Sequence, residues 1–123
     1  MTDVVFGFER VAYTISETEG SVEVAVVKYG SSTLPLSVRL STMSDSATSP
    51  QDFTEIVSRN ISFTPGERRQ TVSIAIVDDD VLEDAEQFFV VLTQIDPQTR
   101  VIEAQNLTSI TITDNDRKWS NSM

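Results

Sequence analysis

The chain is predicted to be all-β: a seven-stranded antiparallel sandwich of immunoglobulin-like type with Greek-key connections. Three observations carry that expectation. Apolar residues alternate with polar ones at period two along nearly the whole length, while helical periodicity is almost absent. Turn-forming residues punctuate the alternation about every eight to fifteen positions. Val and Ile, which suit a pleated, half-buried surface, supply much of the 39% apolar content. At 123 residues the chain is long enough for one domain with a single hydrophobic core.

The first strand is expected over residues 4–15, with the charged pair Glu9-Arg10 marking a kink. The second, 21–29, sets Val22, Val24 and Val26 on one face, and the third, 34–42, does the same with Leu36, Val38 and Leu40. A fourth strand over 56–63 carries Ile61 and Phe63, and a fifth over 71–77 carries Val72, Ile74 and Ile76. The denser apolar run at 87–95 reads as a central strand, and 107–113 closes the set with Ile110 and Ile112. Between them lie Thr18-Glu19-Gly20, Gly30-Ser31-Ser32, Pro50-Gln51, Thr64-Pro65-Gly66 and Asp96-Pro97. A true immunoglobulin signature is missing: the chain has no Cys pair, and its one Trp, Trp119, lies past the last strand. Residues 1–116 are expected to form the domain and 117–123 a tail or linker.

Composition excludes several functions. A formal charge of −10 argues against nucleic acid or anionic lipid as a partner, since both require clusters of Lys and Arg. No apolar run approaches the roughly 20 residues of a membrane span, so no direct membrane contact is expected. Without His or Cys there is no thiol chemistry, no imidazole base and no thiolate metal site, and zinc is not expected. No glycine-rich phosphate loop is present, and the carboxylates lie in short loops without an evident aromatic cleft, so an enzyme is not expected.

The acidic residues are distributed unevenly. Asp78-Asp79-Asp80-Val81-Leu82-Glu83-Asp84-Ala85-Glu86 places six carboxylates in nine residues, and Asp114-Asn115-Asp116 follows the last strand. Successive strands of a sandwich mostly reverse direction, so segments 16–20, 43–52, 78–86 and 114–116 are expected at one pole. They contain twelve of the nineteen acidic residues: Glu17, Glu19, Asp45, Asp52, Asp78, Asp79, Asp80, Glu83, Asp84, Glu86, Asp114 and Asp116. The opposite pole holds Glu67, Asp96 and Glu103. Like charges at close range repel. A hard divalent cation held by oxygen, calcium first, relieves that repulsion; calcium accepts the many irregular carboxylate ligands that magnesium does not. An acidic pole can also be nothing more than solvated surface that aids solubility.

The ordered set of motifs resembles the Calx-beta family, found in sodium–calcium exchangers and in extracellular adhesion and matrix proteins. The matching pieces are Phe8-Glu9, Tyr13-Thr14-Ile15-Ser16-Glu17 with Gly20, Pro50-Gln51-Asp52-Phe53 and Ile61-Ser62-Phe63-Thr64-Pro65-Gly66-Glu67. They continue with Val77-Asp78-Asp79-Asp80-Val81-Leu82-Glu83, Glu86, and Ile110-Thr111-Ile112-Thr113-Asp114-Asn115-Asp116. The resemblance implies calcium at one pole of the sandwich. It would be held by Glu17, Asp52, Asp78, Asp79, the carbonyl of Val81, Glu83, Glu86, Asp114, Asn115 and Asp116. Asn115 stands where the strongest calcium binders can carry an acid, which removes one negative charge.

The resulting expectation is a calcium-binding module of a larger extracellular adhesion, matrix or cell-surface protein. Its partners would be calcium ions, neighbouring domains of the parent protein and possible other proteins. The alternatives are a cytosolic calcium sensor in the cytoplasmic loop of a sodium–calcium exchanger, and a calcium-independent interaction scaffold. Two glycosylation acceptor motifs, Asn60-Ile61-Ser62 and Asn106-Leu107-Thr108, lean gently toward the extracellular setting.

Overall fold

Alternation becomes two facing sheets. In the computed structural model residues 4–78, 84–95 and 100–113 are described. They form nine strands: β1 Val5–Phe8, β2 Ala12–Ser16, β3 Ser21–Tyr29, β4 Leu36–Met43, β5 Arg59–Phe63, β6 Arg69–Ala75, β7 Glu86–Thr93, β8 Arg100–Val101 and β9 Leu107–Thr113. One sheet has the order β6-β3-β1-β8, the other β2-β9-β7-β4-β5.

The expected count of seven is corrected to nine, for two reasons. The first expected strand is two strands: β1 pairs antiparallel with β3 in one sheet, whereas β2 pairs parallel with β9 in the other. The kink expected at Glu9-Arg10 is therefore a complete change of sheet. The second addition, β8, is a two-residue strand parallel to β1, in a segment read from the sequence as a connection. The pairings β1–β8 and β2–β9 also make the sandwich mixed rather than purely antiparallel.

Inward positions of the two sheets meet in one core containing Phe6, Phe8, Val24, Val26, Val38, Leu40, Phe63, Ile74, Phe88, Val90 and Ile110. Phe6 and Phe63 pack with ring centroids 5.1 Å apart and planes inclined at 54°. Phe53 is fully buried although it comes from a connection; it forms an isolated bridge with Ile76 and stacks on Phe88 at 3.8 Å and 9°. Offset or stacked rings at this range add to simple area burial.

Lys28 continues the inward period of β3 and is itself buried. Its Nζ donates to the carbonyls of Thr64 and Pro65 at 3.1 and 3.0 Å and to Ser32 Oγ at 3.4 Å. A buried ammonium is tolerable only with such partners. Here it ties the connection that crosses from β5 in one sheet to β6 in the other onto β3. Glu67 Oε1 accepts from the Thr64 amide at 2.8 Å in the same turn, and this hydrogen bond holds its carboxyl below the usual range. Across β3, the residue that follows β1 and the first residue of β6 are linked by a forked ion pair in which Arg69 Nη2 and Nε donate to Glu9 at 3.0 and 3.2 Å. The side-chain hydrogen bonds of Arg69 lower the Glu9 carboxyl, and Glu9 raises the guanidinium in return.

Candidate functional site

Strand directions gather the acidic segments as follows. β2 and β9 run parallel, with Ser16 beside Thr113 at their ends, and β7 begins antiparallel to β9 with Glu86 opposite Ile112. β4 ends with Met43 opposite Phe89, near that same start of β7. β3 begins with Ser21 opposite Ala75, where β6 ends. The ends of β2, β4, β6 and β9 and the starts of β3 and β7 therefore share one pole.

The loops there are stitched to one another through the backbone. After β2 a 3-10 turn, Glu17–Glu19, is capped by Ser16, whose hydroxyl accepts from the Thr18 amide at 3.3 Å. Gly20 closes the turn at φ 83°, a left-handed conformation natural to glycine. Its carbonyl accepts from the Ile76 amide at 2.9 Å, and the next amide, Val77, donates to the Asp52 carbonyl at 2.9 Å. Two consecutive residues after β6 thus bind the β2–β3 turn on one side and the 44–53 loop on the other. The Gln87 amide donates to Ser46 Oγ at 2.9 Å, its Nε2 to Asp45 Oδ2 at 3.2 Å, and its carbonyl accepts from Ala47 at 2.8 Å. That joins the start of β7 to the other end of the 44–53 loop.

Four of the ten sequence-expected ligand residues fall among the described ones. Glu17 is 4% exposed, the one buried acidic residue among the described residues, and it has interaction partners. Asp52 is half-buried; its Oδ2 accepts from the Thr48 amide at 2.9 Å, and its own amide donates to the Thr48 carbonyl at 2.7 Å. Asp78 is exposed, one residue beyond the Val77–Asp52 link, and Glu86 is half-buried on β7. Asp79, Val81, Glu83, Asp114, Asn115 and Asp116 lie outside the described residues. Among the described residues alone, no group of three or more carboxylates is close enough to hold a metal ion.

Sequence reasoning missed two structural supports of this pole. Phe53, the neighbour of Asp52, plugs the end of the core under the loops; an aromatic following an acid in a loop was the available signal. The burial of Glu17 was also unforeseen, because a Glu after a strand ordinarily turns to solvent.

Comparison with known proteins gives consistent results. The family model described as Calx-beta domain matches residues 2–116. Extracellular matrix protein 3 of Lytechinus variegatus is 32% identical over 115 residues, which is 87% of this chain and 4% of that protein. The sodium/calcium exchanger Calx of Drosophila melanogaster is 38% identical over 85 residues, 68% of this chain and 9% of the exchanger. The chain thus spans a small part of the length of either relative. Among solved structures, the apo-form Calx CBD1 domain superimposes with a TM-score of 0.86 at 30% identity, covering 93% of this chain and 99% of that one. The calcium binding domain CBD12 of CALX1.1 matches with a TM-score of 0.82 at 30% identity, over 92% of this chain and 44% of that one.

Proposed function

This chain belongs to the Calx-beta domain family, and we propose that it is a calcium-binding module whose acidic pole takes up the ion. The observation that carries the reading is the backbone stitching of the loops bearing Glu17, Asp52, Asp78 and Glu86 to one end of the sandwich. The donor chemistry fits: carboxylate and carbonyl oxygens, in a chain without His or Cys, suit a hard cation of flexible coordination. The full proposed set is Glu17, Asp52, Asp78, Asp79, the Val81 carbonyl, Glu83, Glu86, Asp114, Asn115 and Asp116. When bound, calcium supplies positive charge that offsets repulsion among these groups.

The chain's own residues do the rest. Ser16 and Gly20 set the turn that presents Glu17, Val77 fixes the backbone of Asp52, and Ser46 and Ala47 fix the start of β7 beside Glu86. Binding to the folded state stabilises it, by about 2.7 kcal/mol at a hundredfold excess of calcium over the dissociation constant. The role is structural and regulatory rather than catalytic. In this reading residues 1–116 form the module, 117–123 are its tail or the linker to a neighbouring domain, and the ion would fix the angle at such a junction.

The favoured setting is an extracellular adhesion or matrix protein, supported by the coverage of the matrix relative and by the two glycosylation motifs. A second reading, a cytoplasmic calcium sensor of a sodium–calcium exchanger, is supported by the close superposition on Calx CBD1. Calorimetric titration of the chain with calcium, with magnesium as control, tests the shared claim. Saturable calcium uptake with little response to magnesium is expected. No calcium heat and no calcium-dependent rise in melting temperature would leave the calcium-independent scaffold as the better description.

A further inference from the structure

The two glycosylation motifs are equivalent in sequence but not in the fold. Asn60-Ile61-Ser62 lies in β5, the outermost strand of its sheet, which pairs with β4 alone among the strands. Ile61 and Phe63 turn into the core, so Asn60 and Ser62 face solvent, and both are exposed. Ser62 Oγ stays at the surface, hydrogen-bonded to Ser37 Oγ at 2.9 Å. Asn106 is half-buried at the end of the 3-10 turn Glu103–Gln105, with its carbonyl held by the Leu92 amide at 2.9 Å. The neighbouring Gln105 packs onto Gly7, and the third residue of that motif, Thr108, is fully buried with a hydroxyl that lacks a hydrogen-bond partner.

From this contrast we infer that Asn60 is the acceptor of an N-linked oligosaccharide and that Asn106 is not. The inference rests on the extracellular reading, because the transfer occurs in the secretory pathway. A hydrophilic glycan must remain in water, since unpaired polar groups are costly to bury. From Asn60 it projects freely, whereas from Asn106 it would start at a wedged turn whose next residues enter the core. In the transfer, Asn60 Nδ2 attacks the anomeric carbon of a lipid-pyrophosphate-linked oligosaccharide. The new C–N bond forms as the C–O bond to pyrophosphate breaks; the lipid pyrophosphate leaves with the bonding pair, and one amide proton passes to the transferase. A glycan at this position stands beside the outer strand of the sheet, where it obstructs pairing with another chain.

The test is to direct the 123-residue chain through the secretory pathway of a eukaryotic cell with an added leader. Intact mass is then measured before and after enzymatic removal of N-linked glycans. One glycan is expected on the unmodified sequence and on Asn106→Gln. None is expected on Asn60→Gln, nor on Ser62→Ala, which keeps the asparagine but destroys the motif. A glycan that survives Asn60→Gln, two glycans on the unmodified sequence, or secretion at bare polypeptide mass overturns the assignment. The parent protein from its natural source separates the premise from the inference. If it lacks a glycan at Asn60 while the secreted chain accepts one, the extracellular setting fails and the acceptor assignment stands.

Discussion

Phe53→Ala is the substitution that joins fold and site most directly. The ring is wholly buried and lies 3.8 Å from Phe88 in a nearly parallel stack, with Asp52 as its chain neighbour. Removing a fully buried Phe side chain costs about 3 to 5 kcal/mol, because the lost transfer energy is joined by a cavity that the surrounding sheets cannot close. Against a domain stability of about 5 to 15 kcal/mol this is a large fraction. With a urea slope of about 2 kcal/mol per molar, the unfolding midpoint should fall by about 1.5 to 2.5 M. Far-UV circular dichroism reads that transition directly. Phe63→Ala supplies the control. That ring is equally buried but pairs with Phe6 near the opposite pole, so its loss should cost comparable stability. Calcium affinity should distinguish the two variants: Phe53→Ala loosens the loop that carries Asp52, whereas Phe63→Ala leaves it in place. A loss below about 1 kcal/mol for Phe53→Ala would refute the packing argument. Equal calcium affinities in the two variants would refute the link from that ring to the site.

Three further outcomes are expected. Asn115→Asp restores a negative charge to the proposed ligand set and should tighten calcium binding about tenfold, or about 1.4 kcal/mol; an unchanged calorimetric constant removes that residue from the site. Gly7→Ala would bring a Cβ within 2.5 Å of Gln105 Oε1 and 2.9 Å of Gln105 Cβ. Overpacking of this kind costs about 1 to 3 kcal/mol, read as a lower melting temperature, and adding Gln105→Ala should recover most of the loss. Because Arg69 depresses the Glu9 carboxyl, the pair's small contribution is present above the ordinary carboxylate pKa and is lost as pH falls through the lowered value. Arg69→Met should return the Glu9 titration, followed by NMR, to the normal range; an unmoved titration would contradict the assigned cause.

The legibility of the chain varied with the length of the signal. β3 and β9 coincide with the alternating runs at 21–29 and 107–113, because each buries one face and exposes the other over many residues. β1 and β2 carry the same alternation on both sides of Glu9-Arg10, and period two cannot report that the inward face belongs to a different sheet after the bend. β8, with two residues, offers no period at all. Yet the pole assignment does not depend on that count: β1 and β2 run the same way, and β8 runs with them. Lys28 shows the converse case, a charged residue at an inward position of β3 whose explanation is two carbonyls far away in sequence. For the candidate site, strand parity located the acidic end, but the burial of Glu17 and the anchoring of Asp52 to Val77 depend on tertiary contacts that no local pattern encodes.

The parallel, in-register pairing of β2 with β9 has a mechanical consequence. The chain enters the sandwich near one end through β1 and β2 and leaves at the other through β9. Tension applied across such a module pulls these two neighbouring strands in opposite senses along their length. The five residue pairs from Ala12–Ser109 to Ser16–Thr113 are then loaded together in shear, rather than peeled apart one by one. Rupture under force is governed by the unfolding barrier rather than by equilibrium stability. A ladder strained all at once keeps that barrier high in the direction a linear string of modules would be stretched.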